Sequence, residues 1–96
     1  MDHVEVFKAL SNKTRLLILQ WLKNPELHFP EQNAEIGVCV GEIQKKASLT
    51  QSTVSEYLSV LQRAGLIQST RVGQWTYYKR DEDGFKTLKE ILEKEL

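Results

Sequence analysis

Between residues 40 and 80 the spacing of apolar side chains changes period, and this change narrows the folds open to the chain. Val40, Ile43 and Ala47 share one face of a short helix. Ser48-Leu49-Thr50 interrupts it, and Val54, Leu58 and Leu61 then recur at i, i+4 and i+7, with Tyr57 and Val60 beside them. Thr50 is a favoured N-cap for this second helix, and Gly65 stands where a helix closes in left-handed conformation. Leu66 to Arg71 and Trp75 to Lys79 are rich in Ile, Thr, Trp and Tyr, the composition of strands, and Val72-Gly73-Gln74 supplies a hairpin turn. Two helices three residues apart, followed by a hairpin, predict a helix-turn-helix with a wing.

The flanking segments extend this unit. Asp2 is a candidate N-cap for a helix bearing Val4, Phe7 and Leu10, and Ser11 for the next. From Leu16 to Leu22 the second helix is apolar almost all round, which predicts a central element buried on most sides. Asn24-Pro25 stops it. Residues 24–37 show no period and are punctuated by Pro25, Pro30, Asn33 and Gly37, so they read as a long loop that includes His28. A last helix from about Asp83 to Leu96 repeats Phe85, Leu88, Ile91 and Leu92, with Asp81, Glu82 and Asp83 near its start, where the helix dipole favours negative charge. The expected fold is mainly α with a small β-hairpin: one winged helix-turn-helix domain over residues 1–96, in the order α-α-α-α-β-β-α.

Composition weighs against catalysis. One cysteine and two histidines among 96 residues leave little material for a metal site or a catalytic triad, and no Gly-rich phosphate loop appears. The expectation is a protein that is not an enzyme and holds no cofactor. No apolar run approaches the roughly 18 residues of a membrane span, and Met1-Asp2-His3-Val4-Glu5 lacks the features of a secretory signal. A cytoplasmic protein without a membrane partner is expected.

The net charge of zero conceals an uneven distribution. Residues 42–80 carry six Lys/Arg against two Asp/Glu, whereas residues 81–96 carry three against six. A basic centre is the footprint of a nucleic-acid partner, here a double-stranded DNA operator. A second helix of this kind enters the major groove. That makes Gln51, Ser52, Ser55, Tyr57 and Ser59 candidates to meet bases or phosphates. Lys45 and Lys46 on the preceding helix, Arg71 and Gln74 near the wing tip, and Lys79 and Arg80 at its base are candidates for the backbone. Glu56 either points aside or takes part in sequence choice. A domain this small has a radius of gyration of roughly 12–13 Å, too little to reach two successive major grooves about 34 Å apart. Val4, Phe7 and Leu10 at one end, with Phe85, Leu88, Ile91 and Leu92 at the other, are therefore read as a homodimer seam. The alternative, that they complete the protomer core, stays open.

Several stretches together resemble the ArsR family of bacterial winged-helix repressors. They are Phe7-Lys8-Ala9-Leu10-Ser11-Asn12-Lys13-Thr14-Arg15-Leu16, then Leu49 to Leu58 running on to Leu61-Gln62-Arg63-Ala64-Gly65-Leu66, and the wing Arg71 to Tyr78. The resemblance implies a homodimer, joined through its first and last helices, that represses transcription until an inducer releases it. Recognition helices of the family often carry a basic residue and then His where this chain has Glu56 and Tyr57. Its metal sensors carry Cys-Val-Cys where this chain has Cys39-Val40-Gly41, and the zinc sensors use His along a last helix that here has none. No metal site is therefore expected. Cys39 is read either as a redox or metalloid sensor or as a small buried hydrophobe. A different class of function, a protein-binding module presenting Glu56 and the wing aromatics Trp75, Tyr77 and Tyr78, is the alternative to DNA binding.

Overall fold

Side-chain caps set where the long helices begin. The computed structural model describes all 96 residues. In it Asp2 accepts from the Glu5 amide at 2.8 Å and opens α1 (His3–Leu10). Asn12 accepts from the Arg15 amide at 2.9 Å and opens α2 (Lys13–Lys23). Ser11 is not the cap expected for α2: its hydroxyl donates backwards to the Phe7 carbonyl at 2.7 Å and closes α1. Asn12, in extended backbone, has the geometry an N-cap needs. The order continues with α3 (Pro25–His28), β1 (Val38–Cys39), α4 (Val40–Ala47), α5 (Gln51–Arg63), β2 (Ile67–Val72), β3 (Trp75–Arg80) and α6 (Glu82–Lys94). This is the expected winged helix-turn-helix, with one further short helix and one further strand.

The helix falls in the segment read as a loop, and the strand directly after it. Pro25 sits at the first position of α3, where its fixed φ suits a helix start. Phe29 after it is buried and meets Trp21 edge-on, with ring centroids 6.4 Å apart. Strand β1 pairs antiparallel with β3, Val38 opposite Tyr78 and Cys39 opposite Tyr77, so the sheet has three strands in the order β1-β3-β2 rather than a hairpin's two. A two-residue strand has no period for a sequence to display. The turn into it depends on Gly37, at φ +122, because a Cβ there would lie 2.6 Å from the Tyr78 carbonyl oxygen. Between β2 and β3 the register brings Val72 opposite Trp75 and leaves Gly73-Gln74 as a two-residue loop. Gly73 supplies the positive φ such loops require, at +62°.

Helix α2 touches α1, α3, α4, α5 and β3, the central place expected of it. As expected it is covered on most sides and open to solvent along one row only. Ile18, Leu19 and Leu22 are buried, but Leu16 is exposed in a row with Lys13, Gln20 and Lys23. That row has helical spacing, so the phase of the polar residues, not the apolar content of the run, decided which side faces water. The remaining core comes from Val6 and Ala9 of α1, Val38 of β1, Ile43 of α4, Val54, Leu58 and Leu61 of α5, Leu66 and Ile67, and Leu88 of α6. No helix is long and apolar enough to cross a membrane.

Helix α5 ends in a Schellman motif, with the Leu66 amide on the Leu61 carbonyl and the Gly65 amide on the Gln62 carbonyl, both at 3.0 Å. Gly65 takes φ +85, and the first turn of α6 seats on it: a Cβ on Gly84 would stand 1.8 Å from the Gly65 carbonyl oxygen. Gly84→Ala should therefore destabilise by about 2 kcal/mol or more, lowering Tm by roughly 8–16 °C in thermal denaturation. Gly41→Ala, in α4 with nothing within 4 Å of the added carbon, should leave Tm unchanged or slightly raised. Equal effects at the two glycines would contradict this packing.

Candidate nucleic-acid interface

The helix-turn-helix corner is set by Ser48, the only non-glycine residue with positive φ (56°), which ends α4 with its amide on the Gln44 and Lys45 carbonyls. Thr50 then caps α5, accepting from the Thr53 amide at 3.2 Å. Burial of Val54, Leu58 and Leu61 determines the rotation of α5. At helical spacing the opposite side consists of Ser52, Glu56, Ser59 and Arg63, all exposed. Ser55 and Gln62 flank this row towards the sheet, where Gln62 Nε2 donates to Ser69 Oγ at 3.1 Å. Ser55, Ser59, Gln62, Arg63 and Tyr78 line the groove between α5 and the sheet.

Strand alternation sorts the wing into two faces. Ser69, Arg71, Thr76 and Tyr78 lie on the side of α5, and Thr70, Val72, Trp75, Tyr77 and Lys79 lie on the other. The wing aromatics are thus split between faces. Arg71 is exposed and its Nε donates to the Gly73 carbonyl at 3.1 Å, which holds the guanidinium beside the turn. Gln74 is exposed in the turn itself.

Several candidates are committed elsewhere. Lys79 lies on the far face and its Nζ donates to the Glu35 carbonyl at 3.2 Å, anchoring the 29–37 segment rather than reaching outward. Arg80 stacks over Phe85 with 3.8 Å between guanidinium carbon and ring centroid, and pairs with Glu82 at 3.0 Å. Tyr57 is half-buried against the core, with the Arg15 guanidinium 5.3 Å over its ring. Arg15 is itself fixed by the Ala9 and Lys8 carbonyls at 2.7 and 3.0 Å. Neither the wing base nor Tyr57 belongs to the outward set, because tertiary partners claimed them. Lys45 and Lys46 remain exposed. Lys45 pairs with Glu42 at 3.4 Å, an exposed contact of little strength, and Lys46 sits over the rings of Trp21 and Phe29 at 5.5 and 5.8 Å. Gln51, Ser52, Ser55 and Ser59 are exposed as expected. Arg63, also exposed, is one that the residue types alone do not single out. The spacing from Ser52 through Ser59, extended by four, reaches it.

The seam residues divide in the same way. Leu88 and Ile91 are buried within the protomer and cannot form a free surface. Phe7, Leu10 and Phe85 are half-buried against the core. Val4, 63% exposed, and Leu92, 51% exposed, keep open apolar surface. Helices α1 and α6 approach each other through His3 and Glu95, 3.7 Å apart. Cys39 is half-buried, its amide held by Gln32 Oε1 at 3.1 Å, and no three His, Cys, Asp or Glu side chains converge as metal ligands.

Known proteins share this arrangement. The pattern of bacterial regulatory proteins of the ArsR family matches residues 34–69. An uncharacterized HTH-type transcriptional regulator of Bacillus subtilis, YbzH, is 53% identical over the whole of both chains. The transcriptional activator HlyU of Vibrio cholerae is 32% identical over 93% of this chain and 72% of its own. A solved HlyU structure from that organism superposes with a TM-score of 0.66 at 30% identity, covering 93% of this chain and 85% of that one. A homodimeric winged helix-turn-helix DNA-binding domain from Mycobacterium bovis superposes at 0.67 and 28% identity, over 96% and 78% of the two chains.

Two of the wing cations, Arg71 and Lys79, should behave differently on duplex DNA. Arg71→Ala should weaken binding to all sequences and lower the slope of log affinity against log salt by about one. Lys79→Ala, measured in the same titrations, should leave that slope unchanged. The reverse result would reassign the contacting face of the wing.

Proposed function

The chain belongs to the ArsR family of bacterial transcriptional regulators, and from that membership we propose that it is a homodimeric repressor, bound to a specific DNA operator until a signal releases it. The observation that carries this reading is the outward row of α5, polar and exposed, standing beside a wing whose Arg71 lies on the same side. Laid in the major groove, Gln51, Ser52, Ser55 and Ser59 meet base edges or phosphates, while Arg71 and Gln74 follow the backbone beside them. Lys45, Lys46 and Arg63 add positive charge around the groove. All 96 residues act as one DNA-binding unit, at work in the bacterial cytoplasm.

Each protomer carries one such helix and has a radius of gyration of 13.2 Å, so two half-sites a helical turn apart call for two copies. The exposed apolar side chains of α1 and α6, Val4 and Leu92, are the seam we assign, and the Mycobacterium bovis relative is homodimeric. Repression is the direction that asks least of the chain. Occupying a promoter excludes polymerase, whereas activation requires a further productive contact.

Fluorescence anisotropy against DNA from upstream of the protein's own coding region, with scrambled duplex as control at two salt concentrations, tests the reading. Expected is tight, salt-sensitive binding to the upstream DNA alone, at two protomers per site. A reporter on that DNA should rise when the protein is removed; a fall would make it an activator. Equal, weak binding to both duplexes, unaffected by replacing Ser52 and Ser55, would favour a protein-binding module. Val72 and Trp75, exposed opposite each other on the far face of the wing, are the feature that favours that second reading. Val4→Glu with Leu92→Glu should yield a monomer in sedimentation velocity and weaken operator binding about a hundredfold or more. A dimer that survives both changes would move the seam elsewhere.

A further inference from the structure

Glu56 occupies the middle of the outward row of α5, four residues after Ser52 and three before Ser59. Nothing within the protomer uses its carboxylate. It takes part in none of the four ion pairs of the chain. The positions three and four away on either side are Ser52, Thr53, Ser59 and Val60, so no cation stands at helical pairing distance. Arg63 shares the row but is two turns away, about 10.5 Å along the axis. Glu56 is the sixth of thirteen residues in α5, beyond the first turn where the helix dipole favours negative charge. An exposed carboxylate on this face opposes phosphate, and so works against the affinity that the surrounding positive charge provides.

That cost is explained if the carboxylate has a partner on the DNA. An ionised carboxylate only accepts hydrogen bonds, and the major groove offers it two donors, the amino groups of cytosine and adenine. Adenine places the N7 acceptor next to its amino group, where it repels a carboxylate, whereas cytosine presents the amino group without one. Ser52 and Ser59, its neighbours on the row, are shorter, so Glu56 extends beyond them on the face that α5 would present to a groove. We propose that Glu56 is a specificity-determining residue that reads the amino group of a cytosine at one position of each half-site. The same charge penalises every duplex that lacks the donor, so selectivity comes from the rejected sequences as well as the accepted one. This inference rests on the operator-binding reading above.

Selection from a randomised duplex pool, with the full-length protein and its Glu56→Gln and Glu56→Ala variants, tests it. The site is exposed and unpaired, so both variants should melt with the parent. The parent should enrich a motif with cytosine at one position of each half-site. Glu56→Gln should exchange that cytosine for adenine, because an amide pairs with both adenine edge groups. Glu56→Ala should accept all four bases there, with discrimination falling about tenfold or more. Both variants should bind scrambled duplex more tightly than the parent. Identical motifs from all three proteins, with affinity raised uniformly, would reduce Glu56 to a repulsive charge and overturn the proposal while leaving operator binding intact. Failure of the parent to enrich any motif would overturn the operator-binding reading, and this proposal with it.

Discussion

Burial of Val54, Leu58 and Leu61 along one side of α5 is the constraint on which the rest of the molecule depends. Truncating Leu58 or Leu61 to Ala would cost about 2–5 kcal/mol, a large part of the stability of a domain this size. Because successive residues turn by about 100°, seating those three against α1, α2 and α4 also commits Ser52, Glu56, Ser59 and Arg63 to the opposite side. The face offered to solvent follows from the packing of the core. Any rotation of α5 that moved Glu56 off the outward row would also unseat Leu58.

The wing is fixed to that helix from two directions. On one side, the Schellman motif at Gly65 and the close seat of Gly84 upon it join the end of α5 to the start of α6, with β2 and β3 between them. On the other, β1 pairs with β3 through Val38 and Cys39, and the preceding segment is tied down by Lys79 on the Glu35 carbonyl and by Gln32 on the Cys39 amide. Gln62 adds a direct bond from α5 to Ser69. The orientation of Arg71 relative to α5 is therefore a property of the whole fold. The 29–39 segment takes part in it, although it contributes nothing to the outward row itself.

Much of this was legible in the residues. The corner at Ser48-Leu49-Thr50, the cap at Thr50, the left-handed Gly65 and the hairpin at Gly73 rest on short-range geometry, which a few adjacent side chains decide. The row of small polar residues on α5 was legible for the same reason, since period alone separates it from the buried row. The 24–39 segment was not. Strand β1 is two residues long and exists only because β3 lies beside it, and α3 is a single turn held by the burial of Phe29. Ser11 and Asn12 were both eligible caps, and the bond from Ser11 back to Phe7 separated them.

The sequence by itself determined the family, the helix-turn-helix with its wing and the chemistry available on α5, because those depend on period, caps and turns within a few residues of one another. Tertiary structure decided which of the eligible side chains are free. Lys79, Arg80 and Tyr57 are as polar or basic as Arg71 and Ser55, yet a carbonyl 44 residues away, an aromatic ring on α6 and the Arg15 guanidinium have claimed them. Leu88 and Ile91 read like Leu92, one phase of the same helix apart, and only packing separates the two that complete the protomer from the one left open. A partner distant in sequence leaves no local trace, so the choice between a free side chain and a committed one belongs to the folded chain.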